Sequence, residues 1–232
     1  LSIFTYKGIS SCILPPYYVS VLGKQIVEIG YYSLPVVGLT TFFSGMVLAL
    51  QSYTGFARFS AEGAVATVVA LSITRELGPV LAGLMVAGRI GASIAAEIST
   101  MRVTDQIDAL ETLTTDPYKY LVAPRIVACV LCLPFLVLVG DLIGIYGGYL
   151  VGIHKLGFNN TTYLTQTIMY LQPVDVISGI VKAAAFGFLI GLMGCYHGYY
   201  ANHGAQGVGT ATTNAVVSSS ILILVTNYLL TE

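Results

Sequence analysis

Apolar residues fall along this chain in long blocks separated by short polar breaks. Residues 29–57 carry no charged side chain, and SLPVVGLTTFFSGMVLALQSY (33–53) is long enough for one helix across a hydrocarbon core of about 30 Å. Further blocks run from Leu77 to about Met101, over 126–152, over about 177–199 and over about 212–231, which predicts five transmembrane helices. Between the first two blocks, Gly55, Arg58, Ser60 and Glu62 mark a break. The stretch AVATVVALSIT (64–74) is too short to cross, so it reads as an interfacial or re-entrant piece or the tip of a bent helix. Pro79 then falls in the first turn of the second span, where its missing N–H does no harm. Residues 1–28 mix Lys7, Lys24 and Glu28 with aromatic and aliphatic side chains, the pattern of an amphipathic helix lying in the interface. NHGAQGVG (202–209) reads as a polar turn. The predicted fold is an all-α integral membrane protein of one domain, 1–232, made of an interfacial helix (1–28) and a five-span bundle (29–232).

Composition agrees and narrows the function classes. Only 9% of the 232 residues are charged, against about 25% in soluble chains, while 56% are hydrophobic and the mean hydropathy is +0.82. A net charge of −1 provides no basic field for nucleic acid. Cys12, Cys129, Cys132 and Cys195 read as small core residues. The Cys129/Cys132 pair lies in an apolar run with neither a neighbouring His nor a second Cys pair, so no metal site is expected. Cys195, His197 and His203 offer the best case for a membrane enzyme, but no carboxylate stands near to orient an imidazole, so no catalytic residue is assigned.

Charge is concentrated where it matters. Eight charged residues fall between Glu97 and Arg125, which must be an aqueous loop. Within it Val103, Ile107, Leu110 and Leu113 recur at helical spacing, with Asp105, Asp108 and Glu111 on another face. This predicts a short amphipathic helix, ended before Asp116-Pro117, that docks on something because it is too short to stand alone. A narrow excess of Lys and Arg puts this loop and the N-terminus in the cytosol. Within the spans, Arg75 and Glu76 adjoin the start of the second, Arg89 lies near its middle, and Asp141 sits in the third. Arg89 and Asp141 fit either a buried structural pair or the lining of a polar cavity for an amphiphilic substrate. Arg75 and Glu76 fit either a charged helix end at headgroup level or the lining of a cavity for an amphiphilic substrate.

Small residues recur every four positions in three spans: Gly83, Ala87, Gly91, Ala95; Gly140, Gly144, Gly148, Gly152; and Gly179, Ala183, Gly187, Gly191. Such stripes let helices approach closely within a chain, or across a dimer. An odd number of spans cannot divide into two inverted halves, which weighs against a self-contained secondary transporter. The chain has no G-x-x-x-x-G-K-[ST]; Gly23-Lys24-Gln25 lacks both the loop and the hydroxyl.

The stretch from Ser60 to Arg125 is the most specific feature. Its segments RELGPV, AGRIGASIAAE, MRVTDQIDAL and DPYKYLVAPR resemble the MlaE (YrbE) family of ABC-transporter permeases, the membrane subunits of MCE-type lipid transport systems. The resemblance implies a homodimeric, non-catalytic permease in a bacterial inner membrane, or a plastid inner envelope. Its expected partners are an ABC ATPase subunit, an MCE-domain protein and a STAS-domain subunit, and its cargo is phospholipid. ATP and Mg would be bound by the ATPase, leaving no cofactor in this chain. The resemblance also implies a lipid site at Arg75 and Glu76, lined by Leu48, Phe56 and Phe59. It places a coupling helix at about 103–114, with Val103, Asp105, Ile107, Asp108, Leu110 and Glu111 facing the ATPase. An ion-coupled secondary transporter of an amphiphilic solute is the alternative reading.

Overall fold

The computed structural model describes residues 2–13, 18–57, 64–202 and 204–231. Every regular element among them is helical. Helices α1 (Ser2–Ile13) and α2 (Val19–Gly30) precede α3 (Leu34–Phe56), and α2 passes into α3 through a 3-10 turn, Tyr31–Ser33. The second long helix, α4, runs Val65–Val103, and a short α5 (Gln106–Thr112) follows. Then come α6 (Tyr118–His154), α7 (Asn160–Tyr170), α8 (Pro173–Tyr199) and α9 (Ala205–Thr231). Among the described residues five helical stretches are long and apolar enough to cross a bilayer, as the hydropathy pattern predicts.

Several boundaries differ from those expected. The N-terminal segment forms two helices on either side of residues 14–17 rather than one interfacial helix, and the second is continuous with the first span. Residues 65–74 are not a separate piece; they open α4, and Pro79 lies well inside that helix. A π turn, Ile73–Leu77, lets the helix continue past the proline, with the Gly78 N–H bonded to the Ile73 carbonyl five residues back. The last span starts earlier than expected, at Ala205, so Gly207 and Gly209 are helical and the turn is confined to the residues before it. The helix α7 was not anticipated; the Asn159 side chain caps it by accepting from the Thr161 N–H at 3.0 Å.

The chain folds as two compact units. One comprises residues 1–33, 83–133 and 184–232. Its core contains Ile90, Ile94, Ile98, Phe186, Ile190 and Ile223, and Phe4 anchors α1 by packing among Tyr118, Tyr196, Tyr199 and Tyr200. Here Gly83 meets Phe186 and Ile223, Gly91 meets Ile190, and Gly187 lies against the Cys129 backbone. The other unit comprises residues 34–82 and 134–183. Ala49, Val65, Val69, Ile73 and Val151 form its centre, covered by Met46, Tyr53 and Phe158. In it Gly45 and Gly144 bring α3 and α6 into backbone contact, while Gly148 and Gly152 receive Tyr163. The small-residue stripes are therefore used within the chain, where close backbone approach replaces the hydrophobic drive that lipid cannot supply.

Candidate functional site

The geometry around Arg75 and Glu76 follows from Pro79. In an α-helix the N–H of residue 79 would bond the carbonyl of residue 75, and proline has none. The freed Arg75 carbonyl accepts instead from Lys182 Nζ at 3.1 Å, and the same ammonium lies 2.7 Å from Glu76 Oε1. Lys182 is 2% exposed, so its charge is satisfied entirely by protein. One turn earlier on α8, Gly179 sits against the Thr74 carbonyl, where any side chain would collide. A turn before that, Asp175 Oδ1 faces Arg75 Nε at 3.5 Å, while its Oδ2 accepts from the Gln172 N–H at 3.0 Å at the start of α8. Asp175, Gly179 and Lys182 thus occupy one helix face at spacings of four and three, and together they clasp the π turn.

Arg75 remains 58% exposed on its side chain and Glu76 36%. Leu77, the next residue, lines an apolar groove of about 320 Å³ with Phe43, Val47, Leu48 and Gln51 of α3. Charge and apolar surface therefore adjoin on consecutive residues of one turn. Leu48 belongs to the groove, whereas Phe56 packs onto the core cluster of Val65, Val69 and Ile73. Phe59 lies outside the described residues. Asp175 and Lys182 are not among the site residues that the sequence points to: a lysine within an apolar span was the available signal, but reading Pro79 as a first-turn residue hides the carbonyl it leaves open.

The other intramembrane charges have local roles. Arg89 Nη1 donates to Ser33 Oγ at 2.7 Å and reaches the Glu28 carbonyl at 3.5 Å, placing a cation at the end of α2. Asp141 is buried with its Oδ1 directed at Gly78, a position that no side chain could share, and that oxygen has no hydrogen-bond partner among the described residues. The expected Arg89–Asp141 pair is absent from the ion pairs of the described residues.

The acidic loop helix is real but shorter than expected. Val103 closes α4 instead of opening the new helix, and Leu113 is exposed just beyond its end. Asp105 at its start and Thr114 after its end both have positive φ, 57° and 58°, so the chain turns sharply on either side. Ile107 is fully buried and seats the helix, Leu110 is half-buried, and Asp105, Asp108 and Glu111 are exposed. Arg102 holds Asp108 at 2.6 Å, and buried Arg125 holds Glu97 at 2.8 Å while donating to the Leu121 carbonyl. The first pair ties the helix to the end of α4 and the second ties α6 to α4, and Asp105, Asp108 and Glu111 stay on the exposed side.

Comparison with known proteins agrees with this architecture. The family model described as "Permease MlaE" matches residues 22–232. A protein of Rickettsia felis named "Probable ABC transporter permease protein" is 67% identical over 231 residues, covering all of this chain and 89% of that protein. The "Intermembrane phospholipid transport system permease protein MlaE" of Haemophilus influenzae is 36% identical, covering 90% of this chain and 81% of its own. "Protein TRIGALACTOSYLDIACYLGLYCEROL 1, chloroplastic" of Arabidopsis thaliana is also 36% identical, over 90% of this chain and 60% of its own. The chain belongs to the MlaE permease family of ABC transporters and is an integral membrane protein of the bacterial inner membrane, a permease whose class works with an ATPase partner.

Proposed function

We propose that this permease moves phospholipid between its membrane and an MCE-domain partner, working as a homodimer. The observation that carries the reading is the junction at residues 75–77. There Arg75 and Glu76 stand partly exposed on a turn clasped by Asp175 and Lys182, and Leu77 continues directly into the groove lined by Leu48. A charged headgroup and an apolar chain need those two surfaces side by side. The name of the Haemophilus influenzae relative supports phospholipid as the cargo.

The chain itself is non-catalytic in this reading, with ATP and Mg²⁺ bound by a separate ATPase and a STAS-domain subunit as a further companion. ATP-driven closure of the ATPase pair pushes on Asp105, Ile107, Asp108, Leu110 and Glu111, and the motion passes along α4 to the π turn at 73–77. Both the helix bounds and the outward acidic face of α5 support that route.

The test is purification in mild detergent followed by mass spectrometry. Wild type should carry phospholipid and a P-loop ATPase. Glu76→Lys, which places a second cation beside Lys182, should lower bound lipid about tenfold while leaving the ATPase attached. Unchanged lipid in that variant would remove residues 75–77 from the site.

A further inference from the structure

A second pair of concavities lies within the unit that contains α1 and α5. Between α1 and the segment that follows α5 is an open recess of about 570 Å³, whose polar lining includes Lys7, Ser10, Glu111, Asp116 and Lys119. Beneath it, between α2 and the first turns of α6, is a smaller cleft of about 150 Å³, lined by Cys12, Val19, Leu22, Ala123 and Val127. The two share Ser11 and Lys119, so a recess bearing four charged side chains adjoins an apolar slot.

The charges in the recess balance. Lys7 Nζ sits over the Tyr118 ring at 5.4 Å, and Lys119 stands at the junction with the slot. Opposite charges come from Glu111, which is exposed, and from Asp116, one of whose oxygens accepts from the Tyr118 N–H at 2.9 Å. Two cations and two carboxylates suit a ligand carrying both signs; a purely anionic group would gain the lysines but meet the carboxylates. Tyr18, which lines the slot, packs edge-on against Tyr120 at 5.0 Å, the kind of aromatic pair found where a bilayer meets water.

From this geometry we infer a binding site for one zwitterionic phospholipid, with the phosphate between Lys7 and Lys119, the headgroup ammonium toward Glu111 and Asp116, and an acyl chain in the slot between Val19, Leu22 and Val127. A lipid held there links α1 to the loop that follows α5. It uses none of residues 75–77, and through Glu111 it borders the face of α5 read above as meeting the ATPase, so it rests on that reading only at its edge.

Native mass spectrometry of the full chain in mild detergent, titrated with phosphatidylethanolamine or phosphatidylglycerol, tests it. The site predicts one phosphatidylethanolamine per chain that phosphatidylglycerol does not displace at equal concentration. Lys7→Glu and Leu22→Trp should each weaken that binding about tenfold, and should do so equally in a Glu76→Lys background. Added phosphatidylethanolamine should also slow alkylation of Cys12, the one cysteine in the slot. Unchanged lipid binding in both variants, or a preference for phosphatidylglycerol, would overturn the site. So would loss of a copurifying ATPase from Lys7→Glu with lipid retained, since the recess would then seat a protein.

Discussion

Lys182 Nζ bridges Glu76 Oε1 at 2.7 Å and the Arg75 carbonyl at 3.1 Å, joining α8 to the one turn of α4 that proline has stripped of a hydrogen bond. The ammonium is buried and the carboxylate is not, so removing either partner has different consequences. Lys182→Met leaves Glu76 and an orphaned carbonyl beside an apolar side chain, and should lower stability by about 3 kcal/mol. Glu76→Gln keeps a hydrogen-bond acceptor and should cost about 1 kcal/mol. Thermal unfolding of the two variants and their double mutant in one detergent gives the coupling directly; strictly additive losses would mean the contact carries no energy.

Backbone contact between α3 and α6 requires glycine at more than one point, Gly147 against the Phe42 carbonyl among them. A Cβ on Gly45 would run into the Gly144 carbonyl, which cannot yield without moving a helix. Gly45→Ala should therefore cost about 2 kcal/mol or more, whereas Gly23→Ala, with nothing near its Cβ, should be neutral or stabilising by about 0.5 kcal/mol. Equal melting temperatures for the two variants would contradict the packing.

Tyr163 is buried, and its hydroxyl lacks a hydrogen-bond partner among the described residues. Burial disfavours the phenolate and pushes the ionisation up to about 12. Tyr163→Phe should hold or raise stability by about 1 kcal/mol, and the wild-type phenol should stay neutral in ultraviolet titration until the pH approaches that value. A clear loss of stability in the phenylalanine variant would show that the hydroxyl is bonded after all.

Cys12 provides a pH-dependent probe on α1. Burial raises its thiol above the ordinary range, so the reactive thiolate is scarce at neutral pH and grows only as pH climbs past the usual thiol value. Alkylation at Cys12 should be slower than that of a free thiol at pH 8.5 and still accelerate above it. A rate that levels off near pH 8 would contradict the buried setting.

Most of the span pattern was legible because lipid imposes length and apolarity on any crossing helix, and charges are costly enough to mark the breaks. The misreadings have a common physical source. The segment 65–74 looked too short to cross because the charges at Arg75 and Glu76 were taken as an end, yet partners on α8 neutralise them and a π turn carries the helix past Pro79. Lys182 looked like one charge among many because the sequence does not show which carbonyl a proline leaves open for it. Arg89 and Asp141 invited pairing as charges inside spans, but Arg89 reaches Ser33 and the end of α2 instead. Val103 was assigned to the coupling helix on periodicity alone, and the left-handed turn at Asp105 that resets the register has no periodic signature. Phe59 lies outside the described residues, so its expected place beside the groove rests on the resemblance alone.

The central claim is that this chain is a lipid-carrying permease set in motion by a separate ATPase through its acidic helix. Reconstituting it with the copurifying ATPase in liposomes, and following a fluorescent phospholipid as it leaves the membrane, tests this most directly. Transfer should require both ATP and the ATPase, and should be lost with Glu76→Lys or with Asp105→Lys and Asp108→Lys combined. Transfer by the isolated chain under an ion gradient, without ATP, would contradict the account.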